Sequence, residues 1–194
     1  MENLNRKLSL TIGNYSQMAN RLEKRNSIFQ FVLIYYSIIG IVDALLPKYF
    51  DFTTNVSATM NNVFDFWDIL IAIILLIFSS QIALFKYPER IKNCMVTLNQ
   101  LKMLQGALLS STQTVENAYK EYYEITQNIN FLFSRSDFYL SCKNYDVKNQ
   151  GSEVKTHFSQ TEEFFISTRL VLENILYFIL IFLPMVIYIC LLVF

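Results

Sequence analysis

Three long apolar runs organise the chain, and between them apolar positions recur once per helical turn. The runs are Ile28 to Leu46, Phe66 to Phe85 and Ile175 to Phe194. Each is close to the roughly 20 residues that a helix needs to cross a hydrocarbon core about 30 Å thick. Inside that core the backbone must satisfy its own hydrogen bonds, so each run predicts a helix. A chain of 194 residues is too short to bury three such helices in a water-soluble core. The expected fold class is therefore an all-α integral membrane protein. It would have three transmembrane helices, a cytoplasmic helical hairpin and an N-terminal amphipathic helix.

The boundaries follow the same pattern. Residues 1–27 read as an amphipathic helix, 28–46 as the first span and 47–65 as an outer loop. Residues 66–86 read as the second span, 87–168 as a cytoplasmic helical region with a flexible loop at 141–160, and 169–194 as the third span. Some 27 polar and amphipathic residues precede the first run, too many for the usual lead-in to a cleaved signal, so a retained span is expected. Pro184 lies mid-run in the third span. A membrane helix tolerates such a proline if a neighbour or water satisfies the carbonyl it frees.

The amphipathic stripes are explicit. Leu4, Leu8, Ile12, Tyr15, Met18 and Leu22 share one face, either packed on other helices or laid on the bilayer surface. Pro88 suits the first turn of a new helix, with a bend between it and the second span. Ile91, Met95, Leu98, Leu101 and Leu108 then form a second stripe. After a turn at 110–114 a third follows with Val115, Tyr119, Tyr122, Ile125, Ile129 and Leu132. The segments 91–109 and 115–133 together predict an antiparallel hairpin.

Charge sets the orientation. Arg6, Lys7, Arg21, Lys24 and Arg25 precede the first span, and Lys86, Arg90 and Lys92 follow the second, whereas 47–65 holds only Lys48. The positive-inside rule puts the N-terminus and the central segment in the cytoplasm and the C-terminus outside. Trp67, Phe64 and Phe66 suit the outer aromatic belt, and Tyr87 the inner one. Composition adds that charged residues are 16% of the chain, against about 25% in soluble domains. Lys plus Arg and Asp plus Glu are 16 each, so no basic surplus points to nucleic acid.

Chemistry is sparse. Cys94, Cys142 and Cys190 are far apart and form no CxxC pair, and His157 is the sole histidine. This favours neither a zinc site nor a disulfide framework. No phosphate-cradling glycine motif, nucleophile elbow or metal-helix motif occurs, so no cofactor and no enzymatic activity are expected. The functional candidates are polar or small residues inside the spans, where burial in lipid is costly. They are Gln30, Ser37 and Gly40 in the first, and Ser79 and Gln81, with Ser80 between them, in the second. Two roles compete for them: close helix packing with hydrogen bonds across helices, or the lining of a water-filled path in a homo-oligomer.

Local wording then adds a resemblance. A basic entry, Arg21-Leu22-Glu23-Lys24-Arg25-Asn26, leads into Tyr35-Tyr36-Ser37. The second span exits into Glu89-Arg90-Ile91-Lys92-Asn93-Cys94 and then Leu98-Asn99-Gln100-Leu101. Further on, Tyr122-Tyr123-Glu124-Ile125 is followed by 128–130 and by Asp137-Phe138-Tyr139. Over most of 10–194 this order resembles the SLATT family of bacterial two-span effectors, in the branch with an added C-terminal span. The chain lacks the histidine that follows the asparagine in the family pattern.

The resemblance implies a membrane effector of a bacterial antiphage or conflict system. Such an effector acts beside a cytoplasmic sensor such as a reverse transcriptase or a nucleotide-messenger synthase. The implied action is permeabilisation of the inner membrane, ending in growth arrest or cell death. The alternative is a non-conducting tether or scaffold that recruits a cytoplasmic partner through 88–133.

Overall fold

In a computed structural model of the chain, every element among the described residues is a helix. The structure describes residues 2–49, 58–127, 133–149 and 151–193, with side chains at 3–45, 66–127, 133–149 and 151–187. The helices are α1 (Glu2–Tyr49), α2 (Ala58–Phe85), α3 (Tyr87–Leu109), α4 (Val115–Gln127), α5 (Arg135–Asn149), α6 (Glu153–His157) and α7 (Gln160–Val193).

Local chemistry explains where these helices start and stop. Lys86 takes a φ of 45° and separates α2 from α3 close to Pro88. α3 closes in a Schellman turn, with Ser111 at φ 55° and the Thr112 and Ser111 amides donating to Ala107 O (3.1 Å) and Leu108 O (3.3 Å). α5 opens on a capping box. The Ser134 amide donates to Asp137 Oδ2 (3.0 Å), and the Asp137 amide donates to Ser134 Oγ (3.2 Å). Ser159 and Glu162 repeat the box ahead of α7, at 3.1 and 3.3 Å.

The chain divides into two compact units. The first comprises Met1–Glu23 and Pro88–Ile179. Its spine is the N-terminal part of α1, whose Leu4, Leu8, Tyr15, Met18 and Leu22 are buried as the periodicity predicts, with Ile12 half-buried. Helix packing thus prevails over a bilayer-surface position for that face. The polar ties of α3 and α4 also run to α1. Gln105 donates to Asn5 Oδ1 (2.9 Å) and Ser9 Oγ (2.8 Å), Cys94 Sγ donates to the Tyr15 carbonyl (3.2 Å), and Thr11 Oγ1 bonds Tyr122 OH (3.0 Å). Met95 departs from its expected place: it is exposed, and Cys94 takes the inward position. Ile129 and Leu132 lie outside the described residues, as do 128–130.

Residues 141–160 correct the expected flexible loop. α5 continues through them to Asn149, and α6 follows within a few residues. The Asp146 carboxylate accepts the Glu153 amide at 2.7 Å and the Val154 amide at 3.0 Å, so α5 caps α6. Arg6 then grips the buried Glu153 through both carboxylate oxygens, with Nη2 to Oε2 at 2.7 Å. The composition of this stretch is that of a loop, but Asp146 within it and Arg6 from α1 together hold it in helices. A second apolar cluster of the unit centres on Tyr139, Cys142, Phe158 and Ile166.

The second unit comprises Lys24–Tyr87 and Leu180–Phe194. Val32, Tyr36, Trp67 and Ile71 form its core, with Leu180 and Ile187 of α7 packed against it. Trp67 is only 2% exposed, so it serves the helix core rather than the outer aromatic belt; Phe66 faces outward, and Phe64 lies outside the described side chains. Helical backbone from Ala58 also replaces the later part of the outer loop expected at 47–65. Large apolar side chains cover the outside of the unit, among them Ile34, Ile41, Phe66, Leu76, Leu84 and Met185. A water-facing surface cannot sustain so continuous an apolar cover, whereas a bilayer supplies its solvent.

Candidate functional site in the apolar helices

α2 has 28 residues and so rises about 42 Å, more than a hydrocarbon core requires. It is one of three helices long and apolar enough to cross a membrane, the others being α1 and α7. Few polar side chains interrupt these apolar helices, and they are the candidates for a site.

The candidates divide by the direction they face. Gln30 and Ser37 are exposed on α1, and Ser79 on α2. Ser37 Oγ donates to the Leu33 carbonyl at 2.7 Å, and Ser79 and Ser80 donate to the Leu76 carbonyl at 3.0 and 2.7 Å. These hydroxyls are satisfied within their own helices and tolerate an apolar surround. Gln81 is half-buried. Gly40 belongs to the helix seam, where a Cβ would stand 3.6 Å from Ile71 Cγ2, an ordinary contact. Gln30, Ser37 and Ser79 thus point away from the core of the unit, while Gly40 faces inward. Asp43 is buried.

A more specific polar arrangement involves Tyr36. Its side chain is fully buried, and its hydroxyl donates to the Leu180 carbonyl at 2.8 Å. Leu180 is the residue four before Pro184, whose nitrogen carries no hydrogen to complete the helical bond. Tyr36 therefore supplies the donor that the third apolar helix lacks. The need was legible in the proline; the supplier is fixed only by helix packing.

The first unit holds its charges in defined pairs. Asp137 is buried, and its Oδ2 lies 2.8 Å from Arg21 Nη2. Tyr139 donates to Glu163 Oε1 at 2.6 Å, and Arg135 reaches Glu162 at 3.3 Å. His157 Nε2 is 3.5 Å from Glu153 Oε2. Burial pushes the Cys142 thiol up to about 11, and burial with the Glu163 bond pushes the Tyr139 hydroxyl up to about 12. Both are held neutral, which suits packing rather than nucleophilic chemistry. Among the described residues, no three His, Cys, Asp or Glu side chains gather as a metal site.

Some of these structural residues carry sequence signals. Ser134 with Asp137, and Ser159 with Glu162, spell capping boxes that mark helix starts. Gly13 carries none. It admits Ser141, whose Oγ donates to the Leu10 carbonyl at 2.9 Å and would lie 2.2 Å from a Cβ on Gly13.

Fold and outward surface together define an all-helical protein built to associate with membranes. Comparison with family models gives the rest: residues 1–190 match the SMODS and SLOG-associating 2TM effector domain family 5, and the chain belongs to that family. The match runs into the third apolar helix, although the family's description counts two spans. Neither the curated proteins nor the solved structures gave a match. Asp137 and Tyr139 of the family-like wording are the residues that bind Arg21 and Glu163, which gives that wording a structural purpose.

Proposed function

We propose that the chain is the membrane effector of a bacterial antiphage or conflict system and that it oligomerises to permeabilise the inner membrane. Growth arrest or death of the infected cell follows. The observation that carries this reading is the outward placement of Gln30, Ser37 and Ser79 on otherwise apolar helices of an effector-family chain. In a single copy the two serine hydroxyls stay bonded to their own helices; several copies arranged about an axis can turn them, with the Gln30 amide, onto a shared aqueous path. The N-terminus and the first unit lie in the cytoplasm and the C-terminus outside, in keeping with the lysines and arginines around the first two spans. The action requires no catalysis. A cytoplasmic sensor, such as a reverse transcriptase or a nucleotide-messenger synthase, supplies the trigger by binding the two states of the assembly unequally.

The test is membrane potential, read by a potential-sensitive dye in cells induced to make the protein. Depolarisation is expected, and it should weaken when Gln30→Leu and Ser37→Leu are combined at equal protein level. Growth arrest with an intact potential would instead favour the scaffold. Leakage unchanged by the double substitution would remove these two residues from the path.

A further inference from the structure

The family is described for two spans, and the Tyr36 hydroxyl of the first apolar helix bonds the backbone of a third. We propose that the Tyr36 hydroxyl bonded to the Leu180 carbonyl is a latch that keeps the assembly closed, released when that carbonyl meets water. The proposal rests on the permeabilisation reading and specifies how it is regulated.

Pro184 leaves the Leu180 carbonyl without its helical donor, and a bare carbonyl is costly in hydrocarbon. Tyr36 meets that need at 2.8 Å from a fully buried position in the core with Val32, Trp67 and Ile71. Around the bond, Leu180 and Ile187 pack on that core, while Phe182, Met185 and Val186 face outward. Apolar helix faces gain little from one another over lipid, because lipid tails are just as apolar. The bond therefore favours a docked third helix over a displaced one.

Its strength depends on the surroundings. In a dry bundle, breaking it leaves the carbonyl bare. Beside a water-filled path, water replaces Tyr36 and the cost disappears. The bond thus favours the dry state and yields when the interior hydrates. Proline adds the means of movement, since a helix bends readily where its ladder is interrupted.

The test uses the purified full chain in liposomes and measures ion leakage for four proteins: the natural chain, Tyr36→Phe, Pro184→Ala, and the two combined. Phenylalanine keeps the ring and removes the donor. Alanine at 184 restores the amide hydrogen, so Leu180 no longer needs Tyr36. Tyr36→Phe should raise basal leakage roughly 3- to 20-fold, the range of a hydrogen bond within a bilayer. The same change made on Pro184→Ala should leave leakage within about twofold of that background, on the same scale. Unfolding in detergent, measured on the same four proteins, shows whether the bond forms and whether each variant folds. Coupling of the two sites in both unfolding and leakage supports the latch. Coupling in unfolding with equal leakage from all four overturns the latch alone. No coupling in unfolding overturns the bond itself. Absence of leakage from every protein overturns the permeabilisation reading, and the latch with it.

Discussion

Arg21 and Asp137 form a charge pair that ties α1 to the first turn of α5, with Arg21 Nη2 2.8 Å from a carboxylate whose side chain is 2% exposed. That carboxylate also accepts the Ser134 amide, so one residue fixes both the start of α5 and its position on the spine. Breaking a buried charge pair by removing one partner costs about 3–5 kcal/mol. Arg21 is 24% exposed, so water offsets part of this and the lower end applies. Arg21→Ala should therefore destabilise the protein by about 3 kcal/mol in detergent unfolding, within that range. A change under about 0.5 kcal/mol, as for an ordinary surface residue, would contradict the pair's role.

The contact of Gly13 with Ser141 gives a second test. Gly13→Ala forces its new methyl into the Ser141 hydroxyl and should cost about 1–3 kcal/mol, as overpacking does. Ser141→Ala removes the Oγ and should restore part of that loss in the double variant, since the nearest remaining side-chain atom is then the Cβ at 3.2 Å. Gly106→Ala should do the opposite. It meets open space on α3 and should stabilise that helix by about 0.5–1 kcal/mol. Thermal unfolding of the three single variants and the double one decides between these signs.

Much of the helix layout is readable from spacing alone. Leu4, Leu8, Tyr15, Met18 and Leu22 fall on one face because a period near 3.6 survives any surrounding sequence. The apolar runs are equally plain, since lipid sorts residues by composition. Three features are legible only with the fold in hand. The order of 141–160 draws on Arg6, more than a hundred residues away, as well as on its own Asp146. The place of Trp67 depends on which face of α2 meets Val32 and Tyr36. The candidates themselves split, Gln30 and Ser37 outward and Gly40 inward, because polarity marks cost in lipid but not direction.

The cap on α6 predicts a local effect. Asp146→Ala removes the acceptor for the Glu153 and Val154 amides, leaving the first turn of α6 unpaired. Amide exchange at those two residues should speed up by roughly fivefold, in line with a cap worth about 1 kcal/mol. Exchange within α3 should stay as it is. Hydrogen–deuterium exchange resolved by peptide checks this, and protection of 153–157 equal to that of the natural chain would refute the cap.

Alkaline pH tests the neutral state of the packed thiol and phenol. An acid whose folded pKa is raised binds its proton more tightly when folded. The stability it contributes is complete below its unfolded value and is lost as pH climbs to the folded one. Cys142 rises from 9.0 to about 11 and Tyr139 from 10.0 to about 12. Stability should therefore hold up to pH 9 and fall between 9 and 12. Unfolding midpoints across that range, compared with Cys142→Ala, provide the check. A flat profile would mean that neither group is held neutral by the fold.

The most direct measurement concerns the passage of the chain through the bilayer. Reporters fused after Phe194 read the side on which the third apolar helix ends: alkaline phosphatase is active outside the inner membrane, and green fluorescent protein is bright inside it. Three crossings from a cytoplasmic N-terminus predict an active phosphatase and a dark fluorescent fusion. A bright fluorescent fusion with an inactive phosphatase would contradict the account, because the chain would then cross an even number of times and α7 could not serve as a spanning helix latched to α1.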